Sequence, residues 1–287
     1  MIPGQCFQVA AGLLLLNVAG VDGRAAPGTG ESSIPERRDT RSPGPAALTC
    51  GRMGDHVPAG WPVVDQSVLV AAKETTLQAL STTALEQYYD VRADYAGTTF
   101  ATIMPNDAYD VTGADLHALS MLSIRVGPAA TRRVLDDGPG RARLLDALGK
   151  VDPEVQLGKA SVEDLEAAWN LYMVVKGVLA DPATKRQSDP WVTAAKLCAR
   201  KRPHLLPVRD SKVRAVLGLE SMRDGRLELQ ALGHLASDPD VIVAIGQAVE
   251  AARARGTAEG RECVFDAEPL RLIDAALWLH AMGISAS

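Results

Sequence analysis

Between positions 200 and 214 the chain places Arg200, Lys201, Arg202, Arg209, Lys212 and Arg214, six permanent cations in fifteen residues, against a single acid, Asp210. Fixed cations at this density attract phosphates, and guanidinium forks match phosphate oxygens two at a time. The chemistry expected of the segment is therefore phosphate binding, with nucleic acid, DNA first, as the natural partner class. His204 lies inside the same run, and an exposed Trp191 would stack on a base, a contact worth about 1–3 kcal/mol. The competing reading is a non-catalytic helical interaction or scaffold module. In that case the cations favour a helix C-terminus, run their stems along apolar surface and pair with acids from elsewhere in the fold. One observation separates the two: cations lining an open concavity favour binding, and cations each meeting a carboxylate favour the scaffold.

Two residues in the segment have the types needed for catalysis. Asp210 follows Pro207-Val208 and precedes Ser211 to Leu217, with Gly218 as a stop, so it suits the N-cap of a two-turn helix, worth about 1 kcal/mol. It also stands four residues before Arg214, an ordinary helical ion-pair spacing. Lys196 shares a helix face with Arg200, while Trp191, Ala194, Ala195 and Cys198 form the more apolar side. That placement predicts an exposed, ordinarily basic Lys196.

The run from Thr193-Ala194 through Pro207-Val208, Asp210, Val213 and Arg214 to Leu219 resembles the layout of helix-hairpin-helix DNA glycosylases. In that superfamily a helix opening with Thr-Ala ends near a proline, and a Pro-Val-Asp turn presents the catalytic aspartate. The resemblance implies a degenerate form of that helical architecture. It also implies that Asp210 activates a nucleophile or stabilises positive charge on the sugar as the glycosidic bond breaks, with Lys196 as the counterpart of the nucleophilic lysine. The chain differs in having Arg209 between the valine and the acid, no Gly-x-Gly before Thr193, and Lys196 three residues after Thr193. The same block, with Asp115-Leu-His-Ala-Leu-Ser-Met-Leu-Ser-Ile124 upstream and Leu270-Arg-Leu-Ile-Asp-Ala-Ala-Leu-Trp278 downstream, is also similar to an uncharacterised family of actinobacterial proteins over about residues 85–283. That second resemblance implies no activity.

These residues must be positioned by helices, because helix punctuation recurs from Ser67 onward and β-branched alternation is scarce. Thr112-Gly-Ala-Asp115 and Ser161-Val-Glu-Asp164 are capping-box patterns. The second opens a stripe of Leu165, Trp169, Tyr172, Val175 and Leu179. Asp189-Pro190 reads as an N-cap before a first-turn proline, and Pro203 as the stop of that helix. Ser237-Asp238-Pro239 starts a helix through Ile242, Ile245 and Val249 that Gly256 should end. Pro269 starts the last, with Leu270, Ile273 and Leu277 buried, Gly283 as the stop and a docked C-terminus. The expected fold is mainly α, a single helical domain over 59–287.

Residues 1–58 hold nine Gly and six Pro, which predicts a low-complexity, disordered extension. Val9 to Val18 has the length of a signal-peptide core, but no Lys or Arg precedes it, so a cytoplasmic protein is expected. No stretch reaches the ~20 apolar residues of a membrane span. The charges of 1–58 cancel, leaving the net −5 on the remainder, which argues against indiscriminate polyanion binding. Cys6, Cys50, Cys198 and Cys263 lie far apart and read as reduced thiols. His56, His117, His204, His234 and His280 show no ligand spacing, so no metal is expected. The Gly-rich and Gly-x-Ser-x-Gly motifs of nucleotide, dinucleotide and serine-hydrolase sites are absent from the sequence, so no cofactor is expected.

Overall fold

The computed structural model describes residues 57–180, 189–222 and 224–286, all within the compact unit Cys50–Ser287. The expected extension lies almost wholly outside the described residues, as do the apolar run Val9 to Val18, Cys6, Cys50 and His56. The fold class is mainly α. Among the described residues twelve α-helices run in order: α1 (Gln66–Thr82), α2 (Leu85–Tyr88), α3 (Thr99–Thr102), α4 (Gly113–Met121), α5 (Pro128–Leu135), α6 (Pro139–Gly149), α7 (Val162–Leu179), α8 (Trp191–Lys201), α9 (Ser211–Val216), α10 (Gly225–Ser237), α11 (Pro239–Ala258) and α12 (Pro269–Ala281). Among the described residues the only β pairing is two isolated bridges, Thr83 with Ser285 and Asp90 with Cys263. No described helix is long and apolar enough to cross a membrane.

Local chemistry sets most helix starts. Asp65 caps α1 by accepting from the Ser67 N–H at 2.8 Å. Thr112 and Asp115 close a reciprocal capping box on α4, and Ser161 and Asp164 close one on α7. Asp210 caps α9 and Asp238 caps α11, as their positions before these helices predict. Two boundaries shift. The helix expected after Asp189 starts at Trp191 with Pro190 as its cap residue, and the Asp189 carboxylate instead meets Lys176 at 2.8 Å. α11 runs past Gly256 to Ala258, and Gly260, at φ 66°, follows it in the left-handed region.

The helices pack in two groups. In one, α12 contacts α1, α2, α10 and α11; in the other, α7 contacts α5, α6 and α8, and α4 packs on α8. α12 is buried nearly all round, from Leu270 to Leu277, which marks it as a central helix. α9 packs on α12, and a 3₁₀ turn, Leu157–Lys159, packs on α10, so the two groups share one core. The C-terminal residues dock: the Ala286 N–H donates to the Thr82 carbonyl at 2.8 Å.

α8 is buried from Ala194 to Lys201, including its three charged residues. Burying cations is costly unless each is paired and hydrogen-bonded. Asp115, with no exposed surface, supplies the countercharge: Arg200 Nε donates to it at 3.0 Å and Lys201 Nζ at 2.9 Å. The Arg200 fork also donates to the carbonyls of Phe100 and Ile103, at the end of α3. Lys201 Nζ reaches the Asn106 side-chain oxygen at 2.9 Å. Arg202 donates to the carbonyls of Val151 at 2.9 Å, Ala108 at 2.7 Å and Leu148 at 2.6 Å, joining the end of α6 to the end of α8.

Removing the shared carboxylate leaves two cations buried without a countercharge, so Asp115→Ala is expected to lose about 3–5 kcal/mol of stability. The exposed pair Lys150–Asp146 is the comparison, and Asp146→Ala should leave the unfolding midpoint nearly unchanged. Urea unfolding of both variants checks this; an Asp115→Ala protein as stable as wild type would show that the cluster does not hold the fold.

Candidate functional site

A cavity of about 510 Å³ opens where the end of α4, the first turns of α8 and α9, and the middle of α12 meet the segment after α2. Tyr88, Tyr95 and Trp278 form one wall, with ring centroids 5.6–6.2 Å apart. Lys196, Asp210, Arg271 and Asp274 bring charge to the lining. Apolar walls with a few convergent polar groups are the usual make-up of a ligand site, and this volume lies within the usual range of about 300–1,000 Å³.

Lys196 does not lie on the surface as its helical position suggested; it is 6% exposed. The sequence places it opposite the apolar residues of α8, but α4, which packs on α8, and Asp210, the cap of α9, lie on that side. Its Nζ donates to the Leu122 carbonyl at 3.0 Å and lies 3.7 Å from Asp210 Oδ2. A left-handed turn at Ser123, φ 60°, follows Leu122 and ends α4. Burial holds the Lys196 amine below the ordinary lysine range, the Asp210 charge opposes that shift, and Arg271 adds to it. Asp210 accepts the Lys212 N–H at 2.9 Å, so capping and cavity lining belong to the same carboxylate.

The cations predicted to face phosphate are arranged otherwise. Arg200, Lys201, Arg202 and Arg209 are buried, so they do not form the open basic face that their clustering suggested. Arg209 donates to Glu228 at 2.7 Å and Arg214 lies 3.5 Å from the same carboxylate. The two guanidinium groups lie 5.1 and 5.4 Å from the Trp191 ring centroid, so that ring holds the protein's own cations. Arg214 also donates to the carbonyls of Leu219 and Met222, and His204 faces Glu268. Lys212 is exposed, and its amine has no ion pair among the described residues. The structure therefore brings Lys196 and Asp210 together and sends the arginines into the core. Each cation was visible in the sequence. Its direction was not, because Asp115 and Glu228 are distant in the chain.

In the sequence Asp274 and Arg271 read only as parts of an apolar helix, and their signal is two charges, three residues apart, inside a buried stripe. Asp274 accepts the Val208 N–H at 2.8 Å and lies 3.8 Å from Arg271. It thereby fixes the turn that presents Asp210. Burial pushes the Asp274 carboxyl up to about 7; Arg271 and the Val208 N–H oppose the shift, and Glu228 and Asp210 add to it. Trp278 is partly buried, packs against the core and lines the cavity. Cys198 and Cys263 are free thiols. Among the described residues no group of His, Cys, Asp and Glu is placed to hold a metal ion.

The fold and site together define a helical protein with a lysine–carboxylate pair in an aromatic-walled cavity. A family model described as a family of unknown function, DUF6308, matches residues 81–281, and the chain belongs to that family. The match takes in Tyr88, Lys196, Asp210, Asp274 and Trp278. No curated protein and no solved structure matches the chain.

Two measurements test this geometry. If Asp210 caps α9, Asp210→Asn should melt close to wild type while Asp210→Ala loses about 0.5–2 kcal/mol; equal losses would remove the capping role. Asp274 keeps its proton to about pH 7 in the folded state against 3.8 ordinarily, so the folded state binds more protons between these values and stability falls as pH rises through them. Asp274→Asn removes that fall. Its stability relative to wild type should therefore improve from pH 4.5 to pH 7, and a constant difference in urea unfolding would show that Asp274 is ionised throughout.

Proposed function

We propose that this protein binds nucleic acid through single bases, in the manner of a divergent DNA glycosylase, with a base turned out of its stack entering the cavity beside Tyr88, Tyr95 and Trp278. The observation that carries this reading is the pairing of Lys196 and Asp210, 3.7 Å apart within that cavity. Extruding a base costs a few kcal/mol, least at a damaged or unpaired position, and stacking on aromatic rings offsets about 1–3 kcal/mol of it.

In the glycosylase-like step, the C1′–N bond of the nucleotide breaks and the base leaves with the bonding electron pair and takes up a proton. The Asp210 carboxylate stabilises the positive charge that develops on the sugar. The Lys196 amine, its proton affinity reduced by burial, supplies the lone pair that forms a new bond to C1′ and gives up a proton in doing so. Asp210 is the nearby carboxylate for that proton.

Because Arg200, Arg202 and Arg209 are committed to internal partners, affinity comes from the cavity more than from phosphate neutralisation. The salt dependence should then be shallow, equivalent to about one or two phosphates at a slope of about −0.7 each for single strands. The second reading, a scaffold module without a nucleic-acid ligand, is favoured by that same inward arrangement of cations.

Fluorescence titration with single- and double-stranded DNA at two salt concentrations, alongside base-release assays on damaged duplexes, separates the readings. The expected result is saturable binding with a shallow salt slope, and base release that drops by about 10²–10⁴-fold in Lys196→Met and in Asp210→Asn while both variants keep a cooperative melt. Absence of both binding and release in the wild type would leave the scaffold reading in its place.

A further inference from the structure

The charge of the first cavity is mixed. Asp94, Asp210 and Asp274 line it with Lys196 and Arg271, so a phosphate placed there meets carboxylates. A second, more open cavity of about 540 Å³ adjoins it, and Ser123 and Ile124 line both. Its polar lining comprises His117, Ser120, Ser123, Arg125 and Thr131, and no carboxylate lines it. Arg125 is exposed, and its guanidinium makes no hydrogen bond or ion pair among the described residues, in contrast to the buried arginines of the 200–214 run. The His117 ring is also exposed, and the Ser120 hydroxyl is spent within α4, donating to the His117 carbonyl at 2.6 Å. A guanidinium, a threonine hydroxyl and an imidazole lining one cavity are a donor set for a phosphate or another oxyanion.

We propose that the two cavities form one bipartite site, in which the first takes the base and the second, through Arg125 with His117 and Thr131, takes the phosphate of the same nucleotide. This inference rests on the base-binding reading of the first cavity and adds the anionic half of the ligand. The phosphate belongs either to a free nucleotide or to a strand, since both present the same oxygens to Arg125.

The test uses the full chain, thymidine, thymidine 5′-monophosphate, a thymidine trinucleotide and inorganic phosphate as probes, with tryptophan fluorescence and phosphorus NMR line width as readouts. In the wild type the monophosphate should bind about tenfold more tightly than the nucleoside, because a charge-assisted contact is added. Arg125→Glu should abolish that advantage and leave nucleoside affinity unchanged. Arg132→Glu, the same charge change on an exposed residue of α5 outside both cavity linings, should preserve it. Equal binding of nucleoside and monophosphate, or an advantage that survives Arg125→Glu, overturns the bipartite site while leaving base binding in place. Phosphate broadening that depends on Arg125, with no nucleoside binding, keeps the anion subsite and removes the base reading. Binding of no probe overturns both. Tighter binding of the trinucleotide than of the monophosphate identifies a strand as the source, and the reverse identifies a free nucleotide.

Discussion

The carbonyls at the ends of α3 and α6 lie against the last turn of α8, where those of Phe100, Leu148 and Val151 accept hydrogen bonds from buried guanidinium groups. The last turn of a helix has no N–H groups of its own to offer these oxygens, and each oxygen left bare is costly. The chain meets this constraint with the three consecutive cations that close α8. Arg200 covers the end of α3, Arg202 covers the end of α6, and Asp115 balances the charge that Arg200 and Lys201 bring in. A guanidinium suits the task because its five donors lie in one plane and can serve several oxygens at once. The site depends on this junction, since it fixes the axis of α8 and therefore the position of Lys196 four residues before Arg200.

A related economy operates a short distance along the chain. Between Pro207 and Ser211 successive residues part ways at Arg209: Val208 and Asp210 look toward the cavity, while Arg209 turns toward Glu228 and Trp191. The backbone of this stretch is held from the cavity side by Asp274 on α12 and from the other side by Glu228 on α10. Both carboxyl groups are deeply buried, and burial raises the proton affinity of each, with a neighbouring arginine opposing the shift. The carboxylate at Asp210 thus has its place set by two helices that do not otherwise contribute to its capping role.

What the sequence makes legible follows from the range of the interactions involved. Thr112 with Asp115, Ser161 with Asp164, Asp210, Asp238 and Gly283 mark helix ends through contacts a few residues away, so type and spacing suffice to locate them. Lys196 and Asp210 are also legible as a pair of interest, because both lie within one short block. The orientation of the block is not, since Arg200 meets an acid 85 positions earlier and Arg209 meets one 19 positions later. A run of cations has the same appearance whether it points at solvent or at the core. The aromatic wall was hidden for the same reason: Tyr88 and Trp278 lie 190 positions apart by number, yet their rings come within 6.2 Å.

Gly225 shows how far the influence of this arrangement extends. It opens α10 on the side of the Pro207–Arg214 stretch away from the cavity, and the Arg209 guanidinium lies against its backbone. A methyl group at that position would fall 2.4 Å from Arg209 Nη2, well inside contact distance. Any side chain at 225 must therefore displace the guanidinium that pairs with Glu228, and so disturb one of the two anchors of the backbone stretch that carries Asp210. The cavity has a remote tolerance limit: its geometry is vulnerable at a residue that touches none of its walls, and a survey confined to the lining would miss it.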